Sequence, residues 1–258
     1  MATQEELITA QIVLRAVLPV IKVMLQDDPA TRRRFEGVNA TVQFVAQDAA
    51  GPIGAHLRFS DGAVEVVQEL LETPDIQFSF SSVAKMNAMF AGKPVLPRIK
   101  GLTKIGLLLK VLGILLGLKI LMPTAKPKDP HKARLKVKMT LYMVSTALSV
   151  LNKAGDPEMM QWTRKQPERI YQWSVDGEEI ACYLRVKAGM TKAGRGMYER
   201  RKPFVHMKFA NVEAALAVLT NSVDLVQAMG QGMVDNEGSP EYGAQIGDFM
   251  FKIAGMLS

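Results

Sequence analysis

The sequence holds 258 residues, of which 48% are hydrophobic and 22% charged, so the chain belongs to the globular class and not to the disordered or fibrous ones. A single cysteine, Cys182, excludes an intramolecular disulfide framework and a cysteine-based structural zinc site. The formal net charge of +7 favours an anionic partner, and 16 methionines indicate an adaptable apolar interior.

The N-terminal stretch, MATQEEL, is acidic and lacks the basic start, apolar run and small-residue cleavage site of a secretory signal. We therefore expect a cytoplasmic protein. An apolar helical pattern follows from about Ile8 to Leu25 and ends at Asp28-Pro29. Strand-like runs then occupy 41–45 and 55–59, and Asp61-Gly62 predicts a hairpin turn.

The next segment predicts a strand and a capped helix. Pro74 precedes DIQFSF (75–80), in which apolar and polar residues alternate with the period of a half-buried strand. Ser82 is a helix cap, and Val83, Met86 and Phe90 follow at helical spacing.

The most apolar segment is LTKIGLLLKVLGILLGLKIL (102–121). About 20 apolar residues are enough to cross a bilayer, but Lys104, Lys110 and Lys119 spread over about half of the helix circumference and disfavour a spanning helix. Three interpretations stay open: a helix that spans a membrane, one that lies at a membrane surface, and one that packs over an apolar cavity.

A proline-rich, charged stretch, 123–132, predicts a stiff exposed linker. This stretch overlaps the first of two basic segments. Residues 126–138 carry six Lys/Arg and one acid, and residues 187–208 carry seven Lys/Arg and one acid. Residues 209–258 have a net charge of −5. This uneven distribution would steer the chain toward phosphates. The alternative is that the two basic segments are a solvated linker and a solvated loop.

The second half repeats the order of the first at an offset of 127 to 130 residues. An apolar helix from about Val137 to Leu151 ends at Asp156-Pro157, and strand-like runs at 171–175 and 182–186 flank the hairpin signal Asp176-Gly177. The run FVHMKF (204–209) corresponds to DIQFSF, and Asn211 takes the place of Ser82 as a cap. Ser239-Pro240-Glu241 then begins a helix whose apolar stripe comprises Ile246, Phe249, Met250, Ile253 and Leu257.

The repeat predicts two domains of similar size, 1–122 and 133–258, joined by the linker 123–132. Within each copy the strands run together and do not alternate with helices. This order predicts an α+β fold in which helices cover one face of an antiparallel sheet.

No motif for catalysis, a metal or a cofactor is found. His56, His131 and His206 have no second metal-type ligand at helical spacing, and we expect two of them in strands and His131 in the linker. The sequence has no Gly-x-Ser-x-Gly elbow and no glycine-rich phosphate loop, and Cys182 has no histidine near it in the pattern. We therefore expect a protein that is not an enzyme and needs no cofactor.

The chain resembles the sterol carrier protein 2 family, and it does so twice. The first half carries the strand DIQFSFS, a capped helix that ends in MFAGKP (89–94), a short strand through 98–101 and a terminal apolar helix. The second half carries the same strand and helix, followed by VQAMGQG (226–232). Departures from the family pattern are the shortened segment 93–97 and the acidic turn 230–240, which flank the usual cavity mouth.

The resemblance implies, in each half, a five-stranded antiparallel sheet and helices that enclose an apolar tunnel for sterols, fatty acids or acyl-CoA. It implies no catalytic residues. The methionines in these elements would let the tunnel adapt to a flexible lipid. The apolar side chains expected to line the two tunnels are Phe78, Phe80, Met86, Met89, Phe90, Leu108, Leu112, Leu115, Met207, Phe209, Leu216, Leu219, Met229, Met233, Phe249, Met250 and Ile253.

We expect the basic residues to dock the protein transiently on an anionic membrane surface. A nucleic acid is disfavoured, because few aromatic residues lie among the bases. The expected function is therefore non-enzymatic carriage of a hydrophobic ligand. The alternative is a scaffold, or an accessory subunit of a lipid-modifying enzyme, that uses residues 102–121 to bind a membrane or a partner. The residues expected to contact the membrane are Lys126, Lys128, Lys132, Arg134, Arg200, Arg201 and Lys202.

Overall fold

The structure is a computed structural model that describes residues 1–258, and it divides into two compact units. Unit 1 comprises Met1–Lys119 with Met256–Ser258, and unit 2 comprises Ile120–Gly255. Each unit has one five-stranded sheet and its own helices. The predicted α+β class, with five strands in each sheet, is therefore confirmed.

Unit 1 contains five helices and five strands in the order α, α, α, β, β, β, β, α, β, α. The helices are α1 (Gln4–Ile12), α2 (Ile21–Asp27), α3 (Pro29–Phe35), α4 (Val83–Phe90) and α5 (Ile105–Gly117). The strands are β1 (Asn39–Ala46), β2 (Ile53–Ser60), β3 (Ala63–Val67), β4 (Ile76–Phe80) and β5 (Arg98–Lys100).

Unit 2 begins with one long helix and adds a short helix before its last strand. The helices are α6 (Pro130–Lys153), α7 (Pro157–Arg164), α8 (Val212–Leu219), α9 (Leu225–Gly230) and α10 (Pro240–Met256). The strands are β6 (Arg169–Val175), β7 (Ile180–Lys187), β8 (Met190–Arg195), β9 (Val205–Phe209) and β10 (Val234–Gly238).

Both sheets are mixed, so the prediction of purely antiparallel sheets is wrong. The strand order is β3-β2-β1-β4-β5 in unit 1 and β8-β7-β6-β9-β10 in unit 2. In each sheet one pair is parallel, β1 with β4 and β6 with β9. The reason is topological: after two hairpins the chain crosses from the edge strand to the far side of the central strand and runs in the direction of that strand.

The two crossover segments, 68–75 and 196–204, lie over one face of their sheets and are fixed by a buried glutamine. In unit 1 the backbone N–H of Leu71 donates to Gln43 Oε1 at 2.6 Å. In unit 2 the backbone N–H of Tyr198 donates to Gln172 Oε1 at 2.9 Å. These hydrogen bonds satisfy amide groups that burial would otherwise leave unpaired.

Helices cover the opposite face of each sheet. In unit 1, Phe44 of the central strand stacks on Phe78 at 5.0 Å between ring centroids and meets Phe90 of α4 edge-on at 5.6 Å. In unit 2, the thiol of Cys182 donates to the backbone oxygen of Leu141 in α6 at 3.4 Å. The central strands are therefore buried on both faces.

The first helical run, Gln4–Asp27, is interrupted at Pro19. Pro19 lacks an N–H and its ring clashes with a regular turn, so the backbone rewinds into a π-helical turn, Val13–Val17, and a 3-10 turn, Leu18–Val20. By length and composition this run could cross a bilayer, but 72% of its apolar window is buried inside the structure. A core helix of a globular fold has the same properties.

The two hairpin signals have different outcomes. Asp61 and Gly62 both have positive φ and connect Ser60 directly to its partner Ala63, which confirms the predicted two-residue turn. In unit 2, Val175 pairs with Ile180, so four residues form the connection and only Gly177 among them has positive φ. The predicted two-residue turn at Asp176-Gly177 is therefore wrong.

The predicted helix starts are confirmed at Ser82 and Asn211, whose side chains accept from the backbone N–H groups of Lys85 and Ala214, and at Pro240. The acidic stretch predicted as a turn, 230–240, instead contains strand β10. Its polar sequence, VDNEG, gave no strand signal, and pairing with β9 imposes the extended backbone.

A glycine closes the last strand of each sheet. Gly101, directly after β5, has φ +87°, and a Cβ there would lie 2.0 Å from the backbone oxygen of Asp75. Gly238, the last residue of β10, has φ +105°, and a Cβ there would lie 2.1 Å from the backbone oxygen of Phe204. Only glycine fits either position.

Helix α6 begins inside the stretch predicted as a linker. The Asp129 side chain accepts from the backbone N–H of Lys132, and Pro130 occupies the first helical turn, where a missing N–H is harmless. His131, expected in the linker, therefore lies in a helix. The buried Lys136 of α6 donates from Nζ to the backbone oxygens of Met122 and Ala125 and so fixes the preceding segment.

Candidate functional site

The side chains expected to line a tunnel in unit 1 divide into core and half-buried groups. Phe78, Phe80 and Met86 are at most 2% exposed and belong to the core. The others are half-buried on α4 and α5: Met89, Phe90, Leu108, Leu112 and Leu115.

The same division occurs in unit 2. The structure shows no tunnel in either unit. Met207, Phe209 and Ile253 are buried, and Met229 is exposed. Half-buried side chains on or near the helices complete the set: Leu216, Leu219, Met233, Phe249 and Met250. Assignment of these residues to a ligand remains a prediction.

Two adjoining open cavities lie at one end of unit 2, on residues that the sequence did not suggest. Their volumes are about 470 and 430 Å³, and Met160 and Arg164 of α7 line both. Lys153 and Lys165 add positive charge at their edges. The lining residues are otherwise Asn152, Gly155, Pro157, Gln161, Gly189, Met190 and Thr191.

A second arrangement in unit 2 places an arginine against two aromatic rings. The guanidinium carbon of Arg169 lies 4.1 Å from the ring centroid of Phe204 and 4.1 Å from that of Tyr242. Arg169 begins β6, Phe204 directly precedes β9, and Tyr242 lies on α10. Cation–π attraction to both rings holds the guanidinium in place. Its Nη1 is buried and has no hydrogen-bond partner.

Three more aromatic residues extend this arrangement. Trp162 of α7 lies 5.3 Å from Tyr171 of β6 and 5.4 Å from Phe249 of α10, between ring centroids. Phe204 meets Tyr171 at 6.3 Å, which joins the rings into one cluster. We call the six residues Trp162, Arg169, Tyr171, Phe204, Tyr242 and Phe249 the arginine–aromatic cluster.

Two glutamines accept hydrogen bonds from members of the cluster. The Tyr171 hydroxyl donates to Gln166 Oε1 at 2.5 Å, and the Trp162 indole N–H donates to Gln245 Oε1 at 2.6 Å. Burial raises the pKa of the Tyr171 hydroxyl far above its usual range, and the positive charge of Arg169 and the side-chain hydrogen bond between Arg169 and Tyr171 oppose this shift in part. Tyr171 is therefore a neutral donor, and Arg169 is the only charged member of the cluster.

A serine and a histidine form a pair on the opposite face of the same sheet. Ser174 Oγ and His206 Nε2 are 2.8 Å apart, and both residues are buried. Burial lowers the pKa of His206, and the charge of the neighbouring Lys208 lowers it further. Glu237, directly across from His206 in the sheet, forms its ion pair with Lys208.

The remaining candidates for chemistry are buried or dispersed. Cys182 is fully buried, and burial raises the pKa of its thiol to about 12, so the thiolate nucleophile is suppressed. His56 Nδ1 lies 2.8 Å from the backbone oxygen of Glu69, a pure acceptor, so this nitrogen carries the proton. No group of three or more His, Cys, Asp or Glu side chains is placed to hold a metal ion.

Two of the seven residues expected to dock on a membrane take part in ion pairs. Arg134 Nε lies 2.6 Å from Glu178, and Arg201 lies 3.4 Å from Glu168, which Arg185 also contacts at 2.7 Å. The other five are exposed: Lys126, Lys128, Lys132, Arg200 and Lys202.

No protein-family model matches the chain, and no curated protein matches it. Among solved structures, palmitated SCP2L2 from Aedes aegypti is similar at 18% identity over 42% of this chain and 90% of that chain, with a TM-score of 0.30. The sec-alkylsulfatase Pisa1 from Pseudomonas sp. is similar at 13% identity over 55% of this chain and 28% of that chain, with a TM-score of 0.26. A double mutant of PisA1 gives 15% identity, 51% and 26% coverage, and a TM-score of 0.27.

These TM-scores are too low to assign a fold family or an activity. The chain also spans only about a quarter of the length of the sulfatase structures. The functional argument therefore rests on the geometry of this chain. The arginine–aromatic cluster was missed from the sequence because Arg169, Phe204 and Tyr242 lie on separate elements, and no motif links them.

Proposed function

We propose that this chain binds and carries amphiphilic hydrophobic ligands, namely a sterol-like lipid, a fatty acid or an acyl-CoA, without catalysing a reaction. The observation that carries the proposal is Arg169, held against the rings of Phe204 and Tyr242 with a buried Nη1 that lacks a partner.

The guanidinium chemistry of Arg169 determines which ligand group it suits. Both ring centroids lie 4.1 Å from the guanidinium carbon and only 5.3 Å from each other, so the rings contact it from adjacent directions and not from opposite faces. Planar N–H donors match a carboxylate or phosphate oxygen. Because burial makes an unsatisfied donor costly, an anionic head group would recover free energy that the unliganded site lacks.

The apolar part of the ligand would lie along the half-buried face of α10. Phe249 and Met250 are half-buried there, and Phe249 contacts Trp162 of the cluster. An acyl chain covering such side chains would contribute roughly 25 cal/mol for each Å² of apolar area removed from water. The unbranched Met250 suits a chain of variable shape.

We further propose that the two units are tandem copies of one sterol-carrier-like module. Three shared features support this proposal. They are the strand order, the buried glutamine that binds each crossover segment (Gln43 and Gln172), and the glycine at the end of each last strand (Gly101 and Gly238).

The copies differ at the cluster. At the repeat offset, Ala40 takes the place of Arg169 and Asp75 that of Phe204, and Asp75 accepts from the backbone N–H of Thr41. We therefore assign the anionic head group to unit 2.

The absence of catalysis is also part of the proposal. The Ser174–His206 pair has no carboxylate hydrogen-bonded to the histidine, since Glu237 is engaged by Lys208. A triad needs that third group to orient the imidazole.

Replacing Arg169 tests the proposal. We expect Arg169→Met to weaken binding of a fluorescent fatty acid such as cis-parinaric acid at least tenfold, because about 1.5–3 kcal/mol of charge-assisted hydrogen bonding is lost. Arg195→Met is the matched control, since Arg195 also stacks on an aromatic ring, Tyr142 at 4.8 Å, outside the cluster. Binding of a fatty alcohol with the same tail should change little.

Native mass spectrometry of the purified protein, followed by solvent extraction, provides an independent readout. Equal fatty acid affinities in the wild type and the Arg169→Met variant would contradict the role of Arg169. Failure of the wild type to bind any fatty acid or sterol probe would contradict the carrier function as a whole.

A second candidate function is a scaffold or an accessory subunit of a lipid-modifying enzyme. One observation favours it: a face of α5 is apolar and exposed. Co-purification of a catalytic partner, lost on mutation of that face, would distinguish it from a carrier.

A further inference from the structure

One face of α5 in unit 1 is apolar and open to solvent. Ile105, Leu109 and Leu116 are 64%, 63% and 61% exposed. At 3.6 residues per turn, these three side chains project within about 40° of one another. Val111 and Ile114, on the opposite side of the helix, are buried. The helix therefore packs through one apolar face and leaves a second one uncovered.

Two more exposed leucines precede the helix in the chain. Leu102, in the loop directly before α5, is 57% exposed, and Leu96, before β5, is 96% exposed. The apolar surface is therefore not limited to a single helical stripe. We call Leu96, Leu102, Ile105, Leu109 and Leu116 the leucine face.

The charge around the leucine face is mostly positive. Residues 76–119 contain seven Lys/Arg and no Asp or Glu, and one of the seven, Lys104, forms an ion pair with Asp75. Arg34 of α3 adds another positive group, since its Nη1 lies 3.9 Å from the position that a Cβ on Gly113 of α5 would take. Arg32 and Arg33, on the same short helix, are exposed. An anionic partner is therefore favoured over a neutral or cationic one.

The composition of the face favours a lipid surface over a protein. Residues 91–119 contain no aromatic residue, whereas the energetic centres of protein interfaces are rich in Trp and Tyr. Aliphatic side chains bordered by Lys and Arg are typical of a helix that lies in the interface of an anionic bilayer.

We propose that the leucine face is a docking surface for an anionic lipid bilayer, with α5 lying in the membrane plane. The apolar side chains enter the boundary between head groups and acyl chains, and the surrounding Lys and Arg contact the lipid phosphates. This proposal is independent of ligand binding in unit 2.

Vesicle co-sedimentation of the full chain tests the proposal. We expect the wild type to bind vesicles of 70% phosphatidylcholine and 30% phosphatidylglycerol at least tenfold more tightly than pure phosphatidylcholine vesicles. Binding should weaken in 0.5 M NaCl because salt screens the charges.

The variant Ile105→Gln/Leu109→Gln/Leu116→Gln should lose at least tenfold in affinity for the anionic vesicles. The control Met190→Gln/Met197→Gln/Val226→Gln removes three apolar side chains of unit 2 that are 66%, 51% and 80% exposed, and should bind like the wild type. Circular dichroism should be unchanged in both, because every replaced side chain is exposed.

Three results would overturn the proposal: a wild type that does not bind anionic vesicles, a leucine-face variant that binds them as well as the wild type, or a control that loses as much affinity. Sedimentation velocity without vesicles detects a second copy of the chain on this face, which would also overturn it. The leucine-face variant should keep its fatty acid affinity, so a failure of docking is distinguishable from a failure of the carrier function.

Discussion

At the residue scale, Lys136 is the most unusual side chain of the molecule. It is 1% exposed, and Nζ donates only to backbone oxygens, those of Met122 and Ala125. Burial, and then the charge of Lys126, lower the pKa of Lys136 from 10.5 to about 8. A buried ammonium without a carboxylate is expensive, so the charged form destabilises the folded state.

The lowered pKa predicts a pH dependence of stability. Between pH 8 and 10.5 the unfolded chain holds the Lys136 proton more tightly than the folded chain, so the free energy of unfolding rises with pH in this window. The gain is on the order of 1–3 kcal/mol. Urea denaturation at several pH values should show this rise in the wild type relative to Lys136→Met.

Lys132→Met, an exposed position on the same helix, is the control and should follow the wild type. A constant difference between wild type and Lys136→Met from pH 7.5 to 10.5 would contradict the lowered pKa.

At the element scale, the end of the last strand in each sheet needs a glycine, Gly101 in unit 1 and Gly238 in unit 2. An alanine at Gly101 or Gly238 would combine positive φ with a Cβ about 2 Å from a backbone oxygen. We expect Gly101→Ala and Gly238→Ala each to lower the free energy of unfolding by more than about 1 kcal/mol. Thermal denaturation followed by circular dichroism measures this effect.

Gly106 provides the comparison, since it lies in α5 with no atom within 4 Å of an added Cβ. Gly106→Ala should leave stability unchanged or raise it by up to about 1 kcal/mol, because alanine favours helix more than glycine. A Gly101→Ala variant as stable as Gly106→Ala would show that the strand can shift to accept a side chain.

The elements also show what the sequence could predict. Some signals contained within a few residues, the turn at Asp61-Gly62 and the cap at Ser82, gave the correct local structure, whereas the turn signal at Asp176-Gly177 did not. The parallel pairing of β1 with β4 could not be predicted, because the same alternating residues fit either direction. A fifth strand was expected in each half, but its position at β10 was not recognised, because tertiary pairing, not the polar sequence, makes these residues extended.

How well the sequence predicted a residue of the candidate site depended on how far that residue lies from its partners along the chain. Half-buried apolar positions such as Phe249 were expected from helical spacing, whereas the partners of Arg169 were not. Thirty or more residues separate each ring from Arg169 in the sequence, and only the fold brings them to 4.1 Å.

At the scale of the whole molecule, each unit has its own sheet and its own buried core. We expect two unfolding transitions in calorimetry, since domains of this kind unfold as separate cooperative units. Gly101→Ala should move one transition and Gly238→Ala the other. A single transition that both variants shift equally would contradict independent units.

The aromatic residues are divided unevenly between the units. Both tryptophans, Trp162 and Trp173, and all five tyrosines lie in unit 2, while unit 1 has only phenylalanine. Unit 1 therefore contributes almost no near-ultraviolet absorption or emission. Fluorescence excited at 295 nm reports unit 2 alone, and far-ultraviolet circular dichroism reports both units. The wild-type chain thus carries a built-in optical probe for one half, and Trp162 places that probe beside Arg169's proposed ligand.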